Sequence, residues 1–274
     1  MTLFQTARGA LELRELSSIA EMTAAETIQT QVWGPEIIPT PKEMLIPVQH
    51  EGGLLAGAFT SQNQIVGLVF SFPTQDPAAQ HSQMLATLPE WRGEGIGARL
   101  KWFQRDWCLE RGIRQVRWTV DPLRAANAQL NIHRLGATSS SYLLDYYGAM
   151  AGIDAGTPTD RLLVVWDLNH ERTKLRAANP LPDSEYLGVQ AVNAVLDGRP
   201  ASSRLEVTDR RIMLRIPENF ISLTKSDPVA AQVWRLQTRE LFTHYFARGY
   251  TITGFTRVPG PAYLLENGYS KHEN

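Results

Sequence analysis

The chain has 274 residues, 43% hydrophobic and 20% charged, enough for a sizeable core in one large or two ordinary domains. Its 27 Lys and Arg nearly cancel 28 Asp and Glu, so no global field draws nucleic acid or an anionic membrane, and an anionic ligand must be held locally. The single cysteine, Cys108, excludes an internal disulfide and a multi-cysteine zinc site and reads as packing. No stretch nears about 18 apolar residues and "MTLFQTARGA" lacks a signal pattern, so the expectation is a cytoplasmic chain with no membrane and no nucleic-acid partner.

In chain order, "ALELREL" (10–16) predicts a strand and "SIAEMTAAETIQTQVW" (18–33) a helix with a partial stripe of Ile19, Met22, Ile28 and Val32. "GPEIIPTP" breaks it, and the short segment "KEMLIPVQ" follows. "GGLLAGAFTS" and "QIVGLVFSFP" predict two strands joined across Ser61, Gln62 and Asn63. Residues 81–88 predict a strand with His81, Gln83, Leu85 and Thr87 on one face and Ser82, Met84, Ala86 and Leu88 on the other, ended by Pro89. From Ile96 a helix runs on Ile96, Leu100, Phe103 and Trp107 until Gly112, and "IRQVRWTV" (113–120) is the next strand. That is a βαβ unit, so the two strands should be parallel neighbours.

A helix over 125–135, a stop at Gly136 and strands at 141–147 and 161–168 come next. The charged, proline-bearing stretch 170–185 predicts a linker, dividing the chain into 1–169, linker, and an α+β extension over 186–274. In that extension strands are expected at 203–208, 211–216, 250–257 and 262–265, with a helix after "SDP" that starts on Pro228. "ERGIRQVRWTVDP" (110–122) and "ARGYTITGFTRVP" (247–259) share Arg, Gly, Thr and Pro in register, which suggests a helix-to-strand unit of similar shape. Trp234, Leu241 and Tyr245 form an aromatic-rich stripe that reads first as packing and leaves a homodimer open.

Gly93, Gly95 and Gly97 alternate just where a strand gives way to a helix, so successive N–H groups and the positive end of the helix can converge on phosphate oxygens beside Arg92. A P-loop is excluded because Ala98 and Arg99, not Lys and Ser or Thr, follow Gly97. A dinucleotide site stays a rival: Gly93, Gly95 and Ala98 satisfy G-x-G-x-x-A, and Asp121 imitates the ribose-binding acid. Against it, Pro89, Glu90, Trp91 and Arg92 separate the strand from the glycines, and 141–168 offers two consecutive strands instead of further βα units.

"LPEWRGEGIGARL" (88–100) resembles the acyl-CoA-binding motif of the GNAT superfamily of N-acyltransferases, Gln/Arg-x-x-Gly-x-Gly/Ala, met by Arg92, Gly95 and Gly97. The order of elements over roughly 10 to 170 is similar to that fold. The resemblance implies an α/β, α+β-like mixed sheet with a splayed parallel strand pair. It implies acetyl-CoA or another acyl-CoA such as succinyl-CoA as co-substrate, without a metal. It implies that the loop Arg92, Gly93, Glu94, Gly95, Ile96 and Gly97 takes the pyrophosphate, that the pantetheine pairs with main chain near Ala86 and Leu88, and that Asn127 contacts its arm. The family's common tyrosine is missing, since "IHRLGA" has Ile132 in its place.

The reaction implied is attack by the amine of a small molecule or amino acid on the thioester, which needs a base and a proton source for the thiolate. His81 is the candidate base, because it titrates near neutrality and shares a face with Gln83 on the strand that leads to the glycine turn. In the arylalkylamine-acylating branch both matching positions are histidine; here only His81 is. Tyr142 is the favoured acid over Tyr146 and Tyr147, and Arg99, Lys101 and Arg124 are candidates for the CoA 3′-phosphate or for plain solvation. The alternative is a non-catalytic acyl-CoA-binding or sensing module, with a dinucleotide oxidoreductase third.

Overall fold

Residues 54–59 and 65–73 are apolar almost throughout, and a strand buries both faces only where layers cover both. The computed structural model, which describes residues 2–150, 157–179, 186 and 188–269, places them at the centre of a sheet. The described residues form two compact units that part between Trp118 and Thr119.

The first unit has the strand order β1 (Thr2–Thr6), β2 (Gly9–Glu15), β3 (Leu54–Phe59), β4 (Ile65–Pro73), β5 (Ala79–Thr87) and β6 (Gln115–Val120), the last being cut by the division. All neighbours are antiparallel except β5 and β6, which are parallel, as the βαβ reading requires. Helix α1 (Ile19–Trp33) starts at a capping box in which Ser18 and Glu21 satisfy each other's backbone N–H groups. The segment 42–50 is a helix, α2 (Lys42–His50), and the unanticipated β1 pairs with β2 across a two-residue turn. Helices α1 and α3 (Ile96–Glu110) both pack on β4 and β5. Helix α3 comes so close that a β-carbon on Gly67 would stand 2.7 Å from Ile96 and 3.1 Å from Leu100. Its buried face is wider than the apolar stripe: Lys101, Gln104 and Cys108 join Ile96, Leu100 and Trp107, while Phe103 is only half-buried.

In the second unit α4 (Ala125–Ala128) runs into a π-helical turn at Gln129–Arg134, and Gly136 ends it at φ +78°. The strand expected at 141–147 lies earlier, as β7 (Thr138–Leu143), because Asp145 takes a φ of +41° and turns the chain. The sheet order is β8 (Arg161–Asp167), β7, β13 (Tyr250–Thr256), β14 (Ala262–Asn267), β12 (Arg211–Arg215) and β9 (Gln190–Ala191). Asp197 and Gly198, both at positive φ, close a separate hairpin of β10 (Asn193–Leu196) and β11 (Arg199–Ser203), so the strand expected at 203–208 is absent beyond Ser203. The first part of the expected linker is helix α5 (Glu171–Ala178), anchored by Arg172 Nε to the Gly136 carbonyl at 2.7 Å and Arg176 Nε to that of His133 at 2.6 Å. Residues 180–185 of that stretch lie outside the described residues.

After α6 (Phe220–Ser226), α7 (Pro228–Ala247) begins with Asp227 capping the Ala230 N–H and buries Trp234, Leu241 and Tyr245, the expected stripe. The compared segments share their geometry: α3 and α7 each end at a left-handed glycine, Gly112 and Gly249, before β6 and β13. Helix α7 also carries two arginines one turn apart. Arg235 gives Asp121 two parallel hydrogen bonds of 2.9 and 2.8 Å, with exposures of 0% and 5%. Arg239 does the same for Asp160, at 2.8 Å to each oxygen. Burial works against the Asp121 charge, yet Arg235 outweighs it and holds the carboxyl below its ordinary value.

Asp121→Asn leaves a buried guanidinium uncompensated, so the second unit should lose about 3–5 kcal/mol in urea unfolding. A depressed carboxyl stabilises above its unfolded value of about 3.9 and ceases to do so as pH falls through the folded one, so the mutant's deficit should shrink in acid. A loss under about 1 kcal/mol at pH 7 would contradict this.

Candidate functional site

Strand β5 pairs with β6 only over Ala79–His81. Just beyond, its register against β4 shifts by one: Phe70 faces Met84 but Ser71 faces Ser82, so Gln83 is an extra residue. Such a bulge bends and twists its strand, and here it falls where β5 leaves β6. The edge of β5 from Gln83 to Thr87 is thereby open within the first unit.

Which peptide groups face that edge follows from parity. Leu88 donates its N–H to the Val66 carbonyl at 3.0 Å, and in an antiparallel ladder the peptide groups of successive residues point to opposite sides. Leu88 and Ala86 therefore direct theirs to β4, and Leu85 and Thr87 direct theirs to the open edge. Ala86 and Leu88, where the pantetheine contacts were expected, thus turn their peptide groups away from that edge, and their side chains are buried.

After β5 a 3-10 turn at Pro89–Trp91 leads to exposed Arg92 and the glycines. Gly93 and Gly95 have φ of +87° and +76°, with open space where a β-carbon would stand, so they are glycine for backbone conformation and not for room. Gly97 lies inside the first turn of α3. The first helical bond runs from Arg99 N–H to the Gly95 carbonyl, and Gly95 has no side chain to cap with. The N–H groups of Ile96, Gly97 and Ala98 thus have no acceptor within the helix. That cradle fits a phosphate.

His81 is half-buried and stacks on Phe72 with ring centroids 5.0 Å apart. Burial first, then the positive charges of Lys101 and Arg117, lower its pKa, so the imidazole is neutral at neutral pH, the form a base requires. Lys101 is not a surface cation: it is 2% exposed, its Nζ donates to Gln104 at 2.5 Å and Ser82 at 3.1 Å, and it lies 3.9 Å from the Trp118 ring centroid. Burial lowers it to about 7. Burial also raises the Cys108 thiol to about 12, which agrees with a packing role.

His81 and the residues from Ala86 to Gly97 belong to the first unit, Asn127 and Tyr142 to the second. Asn127 is half-buried on α4. The Tyr142 hydroxyl donates to Asp160 at 2.8 Å, its ring stacks on Phe242, and burial and the Asp160 charge raise its pKa. A phenol so held is a poor proton source. The exposed Tyr147 hydroxyl pairs with Thr119 Oγ1 at 2.8 Å, and His133 Nδ1 meets the Phe255 carbonyl in the core. Asp121 spends both oxygens on Arg235, which removes the ribose-binding acid that a dinucleotide site needs.

Among the described residues no cluster of His, Cys, Asp or Glu side chains could hold a metal ion, and no helix is long and apolar enough to cross a membrane. Residues 22–136 match the acetyltransferase (GNAT) family. Among solved structures, the chain is similar to the ribosomal-protein-S18-alanine N-acetyltransferase from Escherichia coli, with 16% identity over 58% of this chain and 95% of that one and a TM-score of 0.48. It is similar to the aminoglycoside 6′-acetyltransferase type Ii, with 14% identity over 58% and 99% and a TM-score of 0.48. For an N-acetyltransferase from Staphylococcus aureus Mu50 the values are 12%, 58%, 99% and 0.49. No curated protein matches the chain.

With Lys101 at about 7 in the folded chain and about 10.4 when unfolded, the unfolded chain binds the extra proton between those values, and stability should rise with pH across that window. Urea midpoints measured from pH 7 to about 9.5 should climb for the natural chain and stay flatter for Lys101→Met. Equal slopes in the two proteins would place the titration elsewhere.

Proposed function

With residues 22–136 a domain of the GNAT acetyltransferase family, whose fold is a mixed sheet with one parallel pair, we propose that the chain is a CoA-dependent N-acyltransferase. It moves an acyl group, acetyl or succinyl, from acyl-CoA to the amine of a small molecule or amino acid. The observation that carries this reading is the open edge of β5 leading straight into the glycine turn. Its main-chain groups at Leu85 and Thr87 suit an amide-bearing chain laid alongside as an extra strand, replacing the contacts first expected at Ala86 and Leu88. The N–H groups of Ile96, Gly97 and Ala98, together with Arg92, suit the pyrophosphate.

His81 acts as the base. The amine nitrogen bonds to the thioester carbonyl carbon, the carbon–sulfur bond breaks, and the electron pair leaves on sulfur. His81 accepts the proton that the amine loses and returns it to the thiolate. A thiol with an ordinary pKa of about 8.5 is a good leaving group, so no separate phenolic acid is required. Tyr142 then holds Asp160 and builds the second unit, and is not assigned the acid role first expected of it.

That engagement of Tyr142, with Ile132 where the family's tyrosine stands, favours as second reading a module that binds acyl-CoA without turnover. The two readings part in one experiment. Thiol release from acetyl-CoA and succinyl-CoA is followed over a panel of amines, for the natural chain and His81→Ala. The expected result is turnover that falls about 10²- to 10⁴-fold in kcat in the mutant while CoA still binds. Its acidic limb in kcat/KM should lie below the ordinary histidine value of about 6.5, because the His81 pKa is lowered. Binding without turnover on any amine would favour the module; undiminished kcat in His81→Ala would remove the base from His81.

A further inference from the structure

Glu94 places a carboxylate between Gly93 and Gly95, in the middle of a loop read as an anion cradle. Like charges there cost affinity unless the acid is turned away. The β1–β2 hairpin, which lies within the same unit, holds it away. Its two-residue turn is Ala7 and Arg8, closed by Thr6, whose hydroxyl donates to the Gly9 carbonyl at 2.9 Å and accepts the Arg8 N–H at 3.1 Å. The Ala7 N–H donates to Glu94 Oε2 at 2.9 Å, and Arg8 Nε stands 4.0 Å from Glu94 Oε1. A second tie joins the same elements, with the Arg99 guanidinium 5.3 Å from the centre of the buried Phe4 ring of β1. The hairpin is thus fastened to the glycine turn and to the start of α3.

What the fastening presents is Arg8. Its side chain is 53% exposed against 19% for Glu94, its guanidinium lies 5.8 Å from the Trp91 ring centroid, and among the described residues it donates no hydrogen bond to protein. A contact as long and exposed as the one to Glu94 adds little to stability, so the hairpin is held by the Ala7 N–H and the cation is left available. Arg92 alone is outmatched by a co-substrate that carries a pyrophosphate and a further phosphate ester. A guanidinium, always charged and able to give two parallel hydrogen bonds, suits either group.

We propose that Arg8 is a ligand for a phosphate of the acyl-CoA nucleotide, and that Glu94 is the clasp that brings the hairpin turn to the glycine loop. This rests on the acyl-CoA reading above. The test is isothermal titration of CoA and of dephospho-CoA, which lacks the 3′-phosphate, into the natural chain, Arg8→Ala and Arg8→Lys. Arg8→Ala should weaken CoA about tenfold, with partial recovery in Arg8→Lys and no change in the melting temperature without ligand. If dephospho-CoA binds the natural chain and Arg8→Ala equally, Arg8 serves the 3′-phosphate; if it too is weakened by the substitution, Arg8 serves the pyrophosphate. Equal CoA and dephospho-CoA affinities in the natural chain and Arg8→Ala would overturn the assignment while leaving the acyl-CoA reading intact. A natural chain that binds neither would overturn the acyl-CoA reading and the assignment with it.

Discussion

The pairing of β5 with β6 stops at His81, and the candidate site depends on that interruption. One extra residue, Gln83, shifts the register against β4 and bends the strand. From there two peptide groups, at Leu85 and Thr87, are turned toward an edge that β6 no longer fills. An unpaired edge is ordinarily a liability. Here the strand ends at Thr87 and passes through the 3-10 turn into two left-handed glycines and a helix whose first N–H groups have no acceptor within it. Edge, turn and helix start form one continuous run of donors and acceptors from a single stretch of chain. The side-chain chemistry added to it is sparse: a neutral histidine at the head of the strand and an exposed arginine at its foot.

The second unit is ordered by a different device. Arg235 and Arg239, one turn apart on α7, each grip a carboxylate with two hydrogen bonds. Buried pairs of this kind fix geometry more than they add stability, because the cost of desolvating both charges offsets much of their attraction. They also engage Tyr142 and Asp121, whose polar atoms bond Asp160 and Arg235.

Much of the first unit is legible in the residues. Continuous apolar runs mark β3 and β4, alternation marks β5, and glycines at the start of α3 mark the cradle, since each signal is local. The misses have physical causes. Alternation tells which face a side chain takes, but the direction of the peptide groups depends on the partner strand, and that direction turns Leu85 and Thr87, not Ala86 and Leu88, toward the open edge. Lys101 reads as a surface cation because burial of an amine is set by neighbours such as Trp118 and Gln104, not by its own position in a periodic stripe. Tyr142 looks available until Asp160 and Arg239 are brought to it from other elements. The hairpin of β10 and β11, by contrast, carried a readable Asp-Gly signal at 197–198. Beneath the charged surface of 170–179 lies a helix whose arginines reach backbone carbonyls of residues far away in sequence, which no local composition announces.

The central claim is that the glycine turn and the edge of β5 hold acyl-CoA. It is tested most directly by thermal melting of the whole chain with CoA, acetyl-CoA, succinyl-CoA and NAD in parallel, since a ligand at a hundred times its dissociation constant adds about 2.7 kcal/mol to folding. The account predicts a rise with the CoA species and none with NAD. A rise with NAD alone, or no rise with any CoA species, would contradict it.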